Sequence, residues 1–451
     1  MEQLLHYVWK HKIFPLKELK TTTGQQVEVI DTGLANTDAG PDFFNAKLKL
    51  DGVLWIGNIE IHERSSDWFK HGHHADAGYN SVILHIASEI DTEISRSNGE
   101  RIPQIQLICP EAVRTNYKEL LETDSYPPCY RIIPSLPPFT AHSWMTALQM
   151  ERFEQKATLL NERLKRCQGN WEDAFFITLA RNFGFGLNGD AFETWAHRLP
   201  FRAVDKHRND LFQIEAIFFG QAGILEDSDG DGYYLRLKKE YTYLQHKFGL
   251  IPMDASLWRF LRLRPANFPH IRIAQLACLY HRAYGLLSRI METETLQGVR
   301  DILKGGTSEY WLTHHTFGGS SPSRPKTLSN TSLDLLIINT VVTFLYAYGL
   351  HKGNRVLCAR AGSFLEELKA ENNYITRMWE QCGMKASNAA DSQALIQLKK
   401  EYCDKKKCLY CRIGYEYLKE NRKKGAEVLN FSPTYSYKFL NNDITLTSFL
   451  Q

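Results

Sequence analysis

The sequence predicts an α+β protein: a strand-rich N-terminal region that ends near residue 126, followed by a mostly helical remainder. Three observations carry this. Residues 44–62 hold two apolar runs joined by Asp51-Gly52, a strong hairpin signal. Residues 127–138 hold five of the sixteen prolines, which neither a helix interior nor a central strand accepts. After residue 140 the strand signal fades, and residues 141–167 run without proline or glycine.

The elements follow in order. Leu5, Val8 and Trp9 mark one face of a short opening helix. Residues 26–30 (QVEVI) are strand-like, and the hairpin occupies 44–50 and 53–62. Ser66 can cap a helix over a polar, His-rich segment. Residues 81–87 (SVILHIA) read as a buried strand, and 105–108 as a fifth. Helical stretches follow around 173–182, 207–224, 271–293 and 333–350. A Gly/Ser/Pro-rich connection at 318–327 divides the helical part. The predicted divisions are therefore an α+β domain at 1–126, helical domains at 140–317 and 328–425, and a tail at 426–451.

With 451 residues, 43% hydrophobic and 23% charged, the chain has enough apolar area to build cores, which excludes a mostly disordered protein. The longest apolar stretch, residues 335–350, carries Asn339, Thr340 and Thr343 and reads as a buried helix; no membrane association is expected. The N-terminus, MEQLLHYVWKHKIF, has no uninterrupted apolar run, so a cytoplasmic, reducing compartment is expected. A net charge of +3 argues for no particular partner.

The sharpest chemistry lies in residues 40–62, GPDFFNAKLKLDGVLWIGNIEIH. Asp42 precedes one hairpin strand, and Glu60 and His62, two apart on the next, share a face. Two carboxylates converging on Mg²⁺ or Mn²⁺ leave positions for water and a phosphate oxygen. The register makes its own demand. A plain two-residue loop pairs Leu50 with Val53 and sets Asp42 opposite Ile61, on the wrong face. An odd loop or a bulge, for which Gly57 is a plausible place, brings Asp42 beside His62, so a hairpin other than the simple two-residue type is expected.

The order of helix, strand, hairpin with Gly40-Pro41-Asp42 before it and Glu60-x-His62 on it, helix and strand resembles the PD-(D/E)xK nuclease superfamily, over roughly residues 1–110. That resemblance implies a restriction-endonuclease-like αβββαβ core in which Asp42 and Glu60 bind divalent metal. It places His62 where a lysine usually orients the attacking water. A neutral imidazole near its ordinary pKa of about 6.5 can act as a base but supplies less fixed positive charge. The whole chain also resembles a family of bacterial proteins, domain of unknown function 2851, through GPDFFNA, NIEIHERSSDW, RLRPANFPHIRIAQLA and NAADSQALIQLKKEYCDKKKCLYCRIG. No established activity comes with that family.

A second set, His62, Asp67, His71, His73, His74, Asp76 and His85, reads as the polar face of a helix, with a His/Asp-rich metal hydrolase as the alternative. Of nine cysteines, three lie at Cys403-x4-Cys408-x2-Cys411, and Cys382 is the natural fourth. Four thiolates make a structural Zn²⁺ site, with an iron–sulfur cluster as the alternative. Residues 399–424 hold ten Lys/Arg against four acids, interleaved with Tyr402, Tyr410, Tyr415 and Tyr417, which suits phosphate contact and base stacking as well as a solvated helix. Residues 259–272 add four arginines. GFGLNG (184–189) follows a helical pattern and DSDGDG (227–232) has Lys238 where a calcium loop needs glutamate, so both read as turns.

Together these features predict a metal-dependent nuclease or phosphodiesterase acting on DNA through Asp42, Glu60 and His62. The alternative is a non-catalytic nucleic-acid-binding or scaffolding protein that retains a degenerate nuclease fold.

Overall fold

The computed structural model describes residues 2–14, 19–123, 127–199 and 201–420. The described residues divide into two compact units: those up to Pro137 together with those from Tyr402 to Glu420, and Pro138–Glu401.

The N-terminal unit opens with α1 (Glu2–Lys10), whose Leu5, Val8 and Trp9 are wholly buried; the Trp9 indole N–H donates to the Thr32 carbonyl (3.1 Å). The strands are β1 (Val27–Asp31), β2 (Leu34–Ala35), β3 (Phe43–Leu50), β4 (Val53–Arg64), β5 (Val82–Glu89) and β6 (Gln104–Gln106). They form one sheet in the order β1-β3-β4-β5-β6, with β2 beside β3. Pairing is antiparallel from β1 to β4 and parallel from β4 to β6. The parallel step needs a long crossover, which α2 (Asp67–Lys70) and two 3₁₀ turns supply. The unit continues into α3 (Glu111–Glu122).

The hairpin departs from expectation in an informative way. Its loop is the simple two-residue type: Leu50 faces Val53, and Asp51 and Gly52 both take positive φ (48° and 84°), as the tight turn matching strand twist requires. The bulge lies in β3 and not at Gly57. Ala46 still faces Gly57, but Phe43 faces Ile59, because Asn45 (φ 55°) is an extra residue on its strand. Gly57 has a different role. A Cβ there would overlap Ile83 Cγ2 and stand 2.8 Å from the Ser81 carbonyl oxygen, so only glycine lets β5 approach. On β4, Ile59 and Ile61 alternate with Glu60 and His62, and all four are buried, so both faces of this strand are covered.

The His-rich segment does not form the expected helix. Ser66 makes no capping bond; its hydroxyl and N–H instead donate to Asp91 (2.7 and 2.8 Å), and α2 stops after four residues. Gly72, at φ 78°, turns the chain, and short 3₁₀ turns follow at His73–Ala75 and Ala77–Ser81.

In the helical unit, α4 (Pro138–Arg166) is followed by α5 (Trp171–Phe183). Asn170 caps α5 by accepting from the N–H groups of Glu172 and Asp173 (3.0 and 3.3 Å), and Phe175, Phe176, Leu179 and Phe183 are buried. Each such burial stabilises by roughly 1.5–3 kcal/mol. The expected pair of helical domains split at 318–327 is one unit, because a single apolar core runs from Phe153 to Ala390 across that connection. At its centre lies the apolar helical run Asn330–Lys352, which among the described residues is the one helix long and apolar enough to cross a membrane; 72% of its most apolar stretch is buried. GFGLNG joins two helices, and Lys238 Nζ donates to the carbonyls of Glu226 and Asp227 (3.1 and 2.7 Å), where a calcium loop would place its ion. The expected tail, 426–451, lies outside the described residues.

Candidate metal centre

The β3 bulge sets Asp42 across from Glu60 and not beside His62. One residue inserted at Asn45 moves the partner of each preceding residue back by one, from Ile61 to Glu60 for Asp42. The Asp42 N–H donates to Glu60 Oε2 (3.1 Å), and Asp42 Oδ2 accepts from the Ile61 N–H (2.9 Å). From α1, His6 Nε2 stands 3.3 Å from Asp42 Oδ2.

Imidazoles surround Glu60. His62 Nε2 and His73 Nε2 lie 3.5 and 3.2 Å from Glu60 Oε1. His71 Nδ1 is 3.1 Å from His62 Nε2, and the donor atoms of His62, His71 and His73 all fall within 4.8 Å of one another. On the far side of its ring, His62 Nδ1 meets His85 Nε2 (2.8 Å), and His85 Nδ1 meets Gln104 Oε1 (3.2 Å). This chain crosses β4, β5 and β6 and orients the His62 ring, as partners behind a metal-binding imidazole do. Tyr79 stacks on His73 with centroids 3.8 Å apart.

The electrostatics are those of negative charge gathered out of water. Burial, and then the Asp42 charge, push the Glu60 carboxyl up to about 9, so it keeps its proton at neutral pH. Burial and the neighbouring His85, His73 and His71 pull His62 down to about 3. The expectation of a base titrating near 6.5 is thereby corrected: His62 stays neutral and offers a lone pair. Burial similarly lowers His85 to about 4. For His6, burial lowers the pKa, but the hydrogen bond to Asp42 and the Asp42 and Glu2 charges outweigh it, and the net shift is upward.

Of the sequence candidates, the structure brings together Asp42, Glu60, His62, His71, His73 and His85. It leaves out Asp67, which pairs with Lys70 (2.5 Å); His74, packed on Phe69; and Asp76, which accepts from the Gly78 N–H (2.8 Å). His6 went unrecognised in the sequence, since nothing local links it to Asp42. The donors suit a divalent ion: the ligating atoms of three imidazoles gather within 4.8 Å of one another, two of them lie 3.5 and 3.2 Å from Glu60 Oε1, and the Asp42 N–H is bonded to the same carboxyl.

The cysteines also depart from expectation. Cys403, Cys408 and Cys411 line one small cavity of the N-terminal unit with Cys129, which sequence spacing did not suggest. Cys382 is not in that lining; it ends the helix Tyr374–Gln381 of the other unit. Nor is the basic segment one helix with free tyrosines. It runs through a π turn (Leu398–Cys403), a 3₁₀ turn (Cys408–Tyr410) and the helix Arg412–Glu420, and its last three basic residues, 422–424, lie outside the described residues. Tyr417 is buried, Tyr415 packs on His11 and Tyr402 lines the cysteine cavity, which leaves Tyr410 the exposed ring of the four. In 259–272, Arg272 is buried, bonded to Gln275 and Asn267 (2.9 and 2.7 Å) and stacked on Phe185.

A family model described as "Protein of unknown function (DUF2851)" matches residues 2–374, a span that contains every donor of this centre and Cys129. No curated protein and no solved structure matches the chain.

Proposed function

Because this chain belongs to the DUF2851 family, whose description assigns no chemistry, we propose its function from the site: a divalent-metal-dependent phosphodiester hydrolase of the PD-(D/E)xK nuclease type, acting on DNA. The observation that carries the reading is Asp42 set across from Glu60 by a bulge, with imidazoles 3.2 and 3.5 Å from the Glu60 carboxyl. The element order around it, a helix, an antiparallel hairpin and then parallel strands reached by a crossover, supports the same reading.

The imidazole-rich donor set suits Mn²⁺ or Zn²⁺ better than Mg²⁺, which prefers an all-oxygen shell. A bound ion would polarise a phosphoryl oxygen and acidify an attacking water. The protein's own groups do the rest. Asp42, and Glu60 once the ion displaces its proton, would supply the negative charge, and His62 and His73 neutral lone pairs. His85 and Gln104 hold the His62 ring in place. His6, 3.3 Å from Asp42 and with its pKa raised, would be the group to donate a proton to a departing alkoxide.

A second reading, a non-catalytic nucleic-acid-binding protein with a degenerate nuclease fold, is favoured by one observation: His62 is uncharged where lysine is usual. One assay separates the two. Nicking of supercoiled DNA is followed with Mn²⁺, Zn²⁺ or Mg²⁺ for the wild type and Glu60→Gln. Cleavage that needs both the ion and Glu60 supports the hydrolase, and equal rates in the two proteins remove it.

A further inference from the structure

Four cysteines from two distant stretches of the N-terminal unit line one cavity. Cys129 comes from the proline-rich segment after α3, and Cys403, Cys408 and Cys411 from the stretch that begins at Tyr402. Leu120, Pro128, Tyr402 and Gly414 complete the wall and add neither carboxylate nor imidazole. The backbone is built for this convergence. Lys406, at φ 51°, and the bonds Lys406 N–H to Cys403 O (3.1 Å) and Lys407 N–H to Tyr402 O (2.8 Å) fold 402–407 into a tight turn. Gly414 is required where it stands, since a Cβ would overlap the Cys408 carbonyl oxygen. Cys411 immediately precedes the helix Arg412–Glu420, whose first turn favours a thiolate.

Packing alone gives no reason to collect four thiols in one apolar cavity, since aliphatic side chains would fill it better; soft metal does. We propose that Cys129, Cys403, Cys408 and Cys411 ligate a thiophilic metal centre, and that this centre is an iron–sulfur cluster. One observation favours the cluster over zinc. The spacing Cys403-x4-Cys408-x2-Cys411 is that of the plant-type [2Fe–2S] ligand run, with the fourth cysteine supplied here from upstream. The centre would bridge the 127–133 segment to the returning 402–420 segment, so its binding energy would stabilise the fold of this unit.

The test uses the full chain purified without oxygen and is independent of any activity at Asp42 and Glu60. Iron, zinc and acid-labile sulfide are measured with the visible absorbance spectrum in wild type, Cys129→Ala and Cys382→Ala, and circular dichroism reports folding of each. The expected result is iron and sulfide in wild type and Cys382→Ala, and their loss from Cys129→Ala. Zinc at one per chain without sulfide overturns the cluster. Metal retained in Cys129→Ala but lost from Cys382→Ala, or no metal in the wild type, overturns the site. Should Cys129→Ala fail to fold, Cys129→Ser and the wild-type analysis still decide.

Discussion

Asp42 and Glu60 face each other across an antiparallel pair, with the Asp42 N–H donating to Glu60 Oε2 at 3.1 Å, and they do so because the bulge leaves Asn45 out of the ladder. Deleting Asn45 removes the unpaired residue itself, so pairing from Leu50 back becomes regular while Phe43 keeps Ile59 as its partner and Asp42 should stay across from Glu60. The expected outcome is a folded protein that keeps metal-dependent cleavage. Asn45→Gly, which keeps the positive φ, should retain activity. Loss of metal binding from a folded deletion variant would show that the pairing of Asp42 with Glu60 does not by itself set the site.

Metal binding should displace a proton. Glu60 holds its proton up to about 9, so a cation binding near neutral pH must release it, and affinity should rise with pH and level off above about 9. Calorimetry in buffers of different ionisation enthalpy should find about one proton released per ion by wild type and none by Glu60→Gln. The linkage has a second consequence. A carboxyl raised from about 4.5 to about 9 contributes stability below 4.5 that is lost as pH rises through 9. Metal-free Glu60→Gln should therefore melt higher than metal-free wild type at pH 9.

Acid should act through the buried histidines. His62, at about 3, and His85 and His11, at about 4, are all lowered first by burial, so each contributes stability present above the unfolded value near 6.5. That contribution is lost as pH falls through 4 toward 3. Urea midpoints for the N-terminal unit should be flat above about pH 7 and fall steadily from about pH 6 to about pH 4. A flat profile over that range would contradict the neutral, buried assignment.

His85 never reaches Glu60, yet it should matter, because its Nε2 meets His62 Nδ1 at 2.8 Å. His85→Ala is expected to weaken metal affinity by about 10–100-fold with the fold retained. Isothermal titration with Mn²⁺ or Zn²⁺ checks this, and unchanged affinity would mean that His62 needs no support from behind.

Gly57→Ala should cost about 1–3 kcal/mol in chemical denaturation, since the added Cβ overlaps Ile83 Cγ2 and meets the Ser81 carbonyl oxygen at 2.8 Å, the latter backbone that yields little. A change under about 0.5 kcal/mol would show that β4 and β5 separate easily at this point.

Much of this protein is legible from residue order alone, because it depends on local rules. Apolar periodicity marked α1, β1, the hairpin, β5 and the long helices, and Asp51-Gly52 specified a turn whose positive φ values suit those two residue types. The carboxylates Asp42 and Glu60 and the thiol run at 403–411 also stood out as chemistry. What the order could not decide was pairing between distant segments. Whether Asp42 meets Glu60, His62 or neither turns on one extra residue in β3, and a period-two strand carries no mark of where its register slips. His6, far from Asp42 along the chain, reaches it only by the docking of α1. Cys129 joins three thiols far along the chain only because the segment from Tyr402 packs back into the first unit. Side-chain charge followed the same division: His62 is an ordinary titrating imidazole in the text of the sequence, and burial among other imidazoles holds it neutral in the fold.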